Sequence, residues 1–247
     1  MKWRVALLGL AAFLVALVAV FPARWIGGLL PSTVQCAAWR GTLWRGRCRQ
    51  LTVSVPGQPP VTVETAGWTL HPLPLLRARL SAELVLTDAR GDVSGHVELS
   101  PRGQLLMRDV SARARLDPNL PTAMPAGWSA RVEIGDLGVE WQDNELRDLQ
   151  GELRFFDLRD EQGRLLGNYH VKFPATAAPP FKGQLTDDGG PFELQAAIEL
   201  TADRRWSLHG KVRPRADADQ ALVQYLQILG GADSAGQYPL GAEGSFK

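Results

Sequence analysis

The sequence predicts a mainly β protein: a long, curved antiparallel meander sheet, half-pipe or groove-like, with one N-terminal transmembrane helix and a short C-terminal helix. Three observations predict it. Beyond residue 25 the dominant hydrophobic period is two, the alternation of strands with one apolar and one wet face. Gly (25) and Pro (17) are abundant and spread along all 247 residues, as short strands joined by turns require. The first apolar run is long enough to cross a bilayer.

That run is the first element. Val5–Phe21 is 17 residues without a charge, and Pro22-Ala23 extends it to 19 before Arg24. At the helical rise this gives about 28 Å, close to the hydrocarbon thickness. Lys2 and Arg4 precede it, which places the N-terminus in the cytoplasm, and Trp3 and Trp25 flank it at headgroup level. A cleaved signal peptide has the same outline, but Val18–Ala23 lacks the pair of small residues that cleavage prefers. Residues 1–25 are therefore expected to be an uncleaved signal anchor, and 26–247 an exported β-rich domain.

The strands follow. Leu80–Leu86, Val93–Leu99, Val110–Leu116, Trp128–Ile134, Leu149–Phe155, Phe192–Leu200 and Trp206–Val212 each place apolar residues or glycine at every second position. Leu194 and Leu208 fall on core faces. Pro56-Gly57, Asp88–Gly91, Pro101–Gly103, Glu161–Gly163 and Asp187–Pro191 mark turns, and short links pair neighbours as a meander. A glycine followed by one polar and one aliphatic residue recurs at Gly95, Gly151, Gly183 and Gly210, read as points where the sheet curls. Ala216–Leu229 has helical spacing, with Asp217 and Asp219 at its positive end. A last strand runs from Tyr238 to Phe246. Pro118–Pro125 and Pro174–Pro180 read as linkers, without a domain boundary.

The charge balance, 27 basic against 26 acidic residues, shows no basic excess or block, which argues against nucleic acid as a partner. There is no nucleophile elbow, zinc-protease motif, P-loop or dinucleotide fingerprint. His71, His96, His170 and His209 stand isolated in the sequence and read as solvated strand residues. Asp187-Asp188-Gly189 lacks a second acidic cluster to complete a calcium cage and reads as a turn. No catalytic, cofactor-binding or metal residue is expected, and no enzyme activity.

Cys36 and Cys48 are the only cysteines, and both lie beyond the anchor. An oxidising compartment favours their pairing, and a turn at Gly41-Thr42 would set them face to face across a hairpin. Register is not visible in the sequence, so two separate thiols flanking a turn stay open.

The segment Trp39–Cys48 contains Gly41-Thr42-Leu43-Trp44 and Gly46. Downstream stand Trp68, Leu70 and Pro72, then Leu75-Leu76. These two motifs, with the anchor, the length and the ending in a Leu-rich helix and a glycine-containing strand, resemble the type II secretion system protein N family. The resemblance implies an inner-membrane-anchored periplasmic accessory component of a Gram-negative secretion apparatus. Its partners would be the inner-membrane platform or the outer-membrane secretin, and it would bind rather than catalyse. Similar pieces occur in AsmA-like proteins, usually much longer chains, which keep open a lipid-handling protein with lipid in an apolar groove.

Overall fold

The computed structural model describes residues 20–28, 30–54, 60–116, 127–175, 178–216 and 218–245. The expected anchor lies almost wholly outside the described residues, as do Pro118–Pro125, Asp217 and Phe246. Among the described residues no helix is long and apolar enough to cross a membrane. The chain forms two compact units, divided after Ala89.

The first unit opens with a 3-10 helix, Ala23–Gly28. It continues with β1 (Val34–Gly41), β2 (Arg45–Val53), β3 (Val61–Leu70), the helical turn α1 (Pro72–Leu75) and β4 (Leu80–Asp88). Each strand pairs antiparallel with the next, a meander built from local links. Proline suits the first turn of α1, where a backbone N–H has no helical partner. The faces of β4 differ from the alternation. Ala82 is buried as expected, but Leu80 and Leu84 are exposed, and Ser81 on the opposite side is buried. The cause is tertiary: α1 packs against β4, and the His71 amide donates to the Ser81 carbonyl at 2.9 Å.

The second unit contains β5 (Gly91–Leu99), β6 (Leu105–Leu116), β7 (Ser129–Gln142), β8 (Glu145–Arg159) and β9 (Leu165–Phe173). Then come β10 (Phe181–Asp187), β11 (Phe192–Leu200), β12 (Arg205–Pro214), α2 (Gln220–Leu229) and β13 (Tyr238–Ser245). Again each strand pairs antiparallel with the next in sequence. Asp143 and Asn144, both with positive φ, make the tight β7–β8 turn, a conformation these side chains tolerate.

The longest strands bend at bulges. Asp109, Asp136 and Asp157 have φ of 51°, 49° and 52°, and the pairing register slips beside each. Aspartate is among the few residues that enter this region readily, and each extra residue raises the local twist. The glycine repeat divides into two roles. Gly95 sits at a register slip between β5 and β6, as a curl would need. Gly183 instead makes room, since a Cβ there would lie 2.7 Å from the Phe173 ring. Strands β7 and β11 stand four positions apart, about 19 Å in a flat sheet. Yet the Arg204 guanidinium, beyond the end of β11, lies 5.7 Å from the centre of the Trp141 ring near the end of β7. The sheet of this unit therefore coils along that end.

Burial concentrates where α2 covers the sheet. Phe192, Val212, Leu222 and Leu226 form the core, with Leu166, Leu194 and Tyr238 packed against it. Leu208, expected in the core, is half-buried. The helix begins at Gln220, later than its spacing predicts, because the Asp219 carboxylate accepts from the Ala221 amide at 2.9 Å and caps it there.

Candidate functional site

The two sequence motifs of the first unit meet in space. Gly41 and Gly46 are the last pair of the β1–β2 hairpin, and Thr42, Leu43, Trp44 and Arg45 connect them. Thr42 closes it: its amide donates to the Arg45 carbonyl at 2.9 Å, and its hydroxyl accepts from the Arg45 amide at 3.2 Å. Gly41 takes φ +95°, and a Cβ there would strike the Arg45 carbonyl.

On the other side of β2, Gly46 pairs with Trp68 of β3. A Cβ on Gly46 would lie 2.3 Å from the indole and 2.9 Å from the Arg40 carbonyl, so only glycine leaves the slot that the ring fills. The indole N–H then donates to the Leu43 carbonyl at 2.9 Å. Trp39 meets the same ring edge-on, with centroids 5.7 Å apart. The amide of Leu70 donates to the Trp44 carbonyl at 2.7 Å, and Pro72 starts α1 just beyond. Gly41, Thr42, Leu43, Trp44, Gly46, Trp68, Leu70 and Pro72 thus belong to one knot. Trp39, which opens the same stretch of sequence, joins it too.

The chain leaving the apolar run is stitched to this knot. The Leu43 amide donates to the Phe21 carbonyl at 2.7 Å, Pro22 pairs with Thr42, and Ala23 is fully buried. The Trp39 indole closes over the 3-10 helix, where a Cβ on Gly27 would lie 3.3 Å from its nitrogen.

Cys36 and Cys48 form a disulfide, with Cα atoms 5.9 Å apart. The pairing matches the expectation, but the geometry differs. Cys36 stands opposite Leu51 and Cys48 opposite Trp39. The hairpin centre lies at Leu43-Trp44 rather than Gly41-Thr42, which offsets the cysteines by three positions and makes the link diagonal. Gln50, two residues after Cys48, has φ 53°.

His71 and His170 are not isolated in space. His71 lies 3.6 Å from Glu83, and His170 lies 3.3 Å from Glu152. The Lys172 ammonium beside Glu152 holds that carboxyl below the usual range. Asp187 does more than form a turn. Burial pushes its carboxyl up, but the Leu194 amide at 2.8 Å and the Arg215 guanidinium outweigh burial and hold it below the ordinary value. Arg215 also donates to the Gly190 carbonyl at 2.9 Å, fastening the β10–β11 turn to the end of β12. Nearby, burial, and next the Asp187 charge, push the Tyr169 phenol up to about 12.

Among the described residues several cavities open on the second unit. One of about 580 Å³ is lined by Gln184, Glu193, Gln195, His209, Lys211 and Arg213. Another of about 350 Å³ is lined by Asp92, Arg113, Glu133, Glu152 and Arg154.

A family model described as type II secretion system (T2SS), protein N, matches residues 32–241. The chain is 24% identical over 258 residues to the type II secretion system protein N of Aeromonas hydrophila, covering 98% of each. It is 26% identical over 263 residues to that of Klebsiella pneumoniae, covering 98% of this chain and 95% of the relative. No solved structure matches the chain.

Proposed function

The chain belongs to the type II secretion system protein N family, and from that premise we propose that it is an inner-membrane-anchored accessory component of the secretion apparatus, acting by protein–protein contact. Residues 1–25 hold it in the inner membrane of a Gram-negative cell, and residues 26–247 are its β-rich periplasmic part. Its partners are other secretion components, the inner-membrane platform or the outer-membrane secretin.

The observation that carries this reading is the family match over 32–241, which includes the motif knot. Geometry supports a binding role. Strand β13 has β12 as its hydrogen-bonded neighbour and offers an edge to which another chain can add a strand. Deletion of the gene in its host tests it. Exoproteins should accumulate in the periplasm and be released again when the full chain is restored; unchanged release in the deletion strain would sink the proposal.

A further inference from the structure

Three leucines of the first unit face solvent beside the place where the chain leaves its apolar run. In and just after α1, Leu73 is 76%, Leu75 41% and Leu76 85% exposed. A single exposed leucine is ordinary, but three within four residues make a patch. Prolines 72 and 74 fix the backbone that presents them.

Their position gives the patch its meaning. Leu70, two residues before α1, hydrogen-bonds the Trp44 carbonyl, and Leu43 beside it hydrogen-bonds Phe21, the last residue of the apolar run. Trp25, just past that run, is 61% exposed. α1 and the exit of the apolar run therefore share one end of this unit.

Charge points the same way, although the net charge of the whole chain hides it. Beyond the apolar run, residues 24–89 carry seven Arg against three Asp and Glu, a net +4; residues 90–247 carry eighteen Lys and Arg against twenty-three acidic residues, a net −5. The first acidic residue of the chain is Glu64. Arg77 and Arg79 follow the leucines directly, and Arg45 borders the motif loop. Near an anionic bilayer each such residue strengthens binding about fivefold, within a Debye length of the surface.

We propose that α1 and its flanking arginines form a lipid-docking surface: Leu73, Leu75 and Leu76 enter the interface of an anionic membrane while Arg77 and Arg79 meet its phosphate headgroups. Apolar side chains bordered by basic ones are the arrangement by which interfacial segments bind. The proposal rests on the anchor reading, since the anchor is what holds this end at the membrane. Docking fixes the tilt of the first unit above the bilayer, where an anchor alone would leave it free to swing.

Spin labels on the full-length protein, with its disulfide intact, test this. The protein is reconstituted in vesicles of about equal parts phosphatidylglycerol and phosphatidylcholine, and labelled at Leu76→Cys, Leu73→Cys, Ala12→Cys or, as an aqueous reference, Glu243→Cys. Labels at 76 and 73 should collide more with oxygen than with a water-soluble nickel complex, the reverse of the label at 243. That preference should be lost in pure phosphatidylcholine and in the Arg77→Glu/Arg79→Glu variant. Labels at 76 and 73 that are open to the nickel complex, while the label at 12 is shielded from it, would overturn docking and leave the anchor standing. Labels at 76 and 73 shielded from both reagents would overturn it in favour of a protein contact. A label at 12 open to nickel would overturn the anchor reading, and docking with it.

Discussion

The indole N–H of Trp68 donates to the carbonyl oxygen of Leu43 at 2.9 Å, from a ring seated where Gly46 has no side chain. Two roles of one residue are thereby separable. Trp68→Phe keeps most of the ring and loses the hydrogen bond, and should cost about 1 kcal/mol. Trp68→Ala loses both and should cost about 2–4 kcal/mol, less than a fully buried tryptophan because the ring is only half-buried. Gly46→Ala should cost about 1–3 kcal/mol by forcing the ring and the Arg40 carbonyl aside. Urea unfolding of the three variants checks the order; equal midpoints for Trp68→Phe and Trp68→Ala would show that the ring packing contributes nothing.

The disulfide closes a short loop, so its loss should cost about 3 kcal/mol at most. The effect should be local. In a Cys36→Ser/Cys48→Ser variant, amide exchange should rise in β1 and β2 and stay unchanged in β11 and β12. Thiol trapping under denaturing conditions should label neither cysteine of the parent protein before reduction and both after it.

Asp187 sets an acid limit. Its folded-state pKa lies below the ordinary carboxylate value of about 3.9, so its contribution is present above that pH and is lost as pH falls through the folded value. Asp187→Asn should cost about 1–3 kcal/mol at neutral pH by leaving Arg215 without its charged partner. Melting curves between neutral pH and about pH 2.5 should show a shallower acid decline in the variant than in the parent. Parallel declines would remove Asp187 from the account.

The bulges make a sharper test. Asp136→Gly should be tolerated within about 1 kcal/mol, because glycine adopts positive φ freely. Asp136→Val should cost about 1–3 kcal/mol, since a β-branched residue resists that conformation. Deleting Asp136 should preserve soluble folding, because removing the extra residue leaves Leu137, Val139 and Trp141 on the face of Ile134 and takes away only the local bend. Soluble yield and melting temperature decide all three.

These bulges also show where sequence reading stopped short. The apolar positions of β7 run Ala130, Val132, Ile134 and then Leu137, Val139, Trp141, a slip of one at Asp136. The same slip occurs at Asp109 in β6 and Asp157 in β8, each with an aliphatic residue next in sequence. Alternation made the strands legible, but each half-strand read alone conceals the slip. The meander and the cysteine pairing were legible, because turns and short links are local. The contact between Gly46 and Trp68 was not, since register across two strands leaves no local trace. Nor was the burial of Ser81, which depends on α1 folding back onto β4.

Within each unit, strand order follows chain order without exception. For a chain that emerges from the ribosome in sequence order, this has a kinetic consequence. Every newly emerged strand finds its partner already in place beside it, and no segment has to wait for a distant one. Contacts so close in sequence carry little loop-closure entropy and favour rapid folding. Unpaired edges are then exposed one at a time, each for about as long as the next hairpin takes to emerge, which limits the interval in which the nascent sheet can capture the wrong chain.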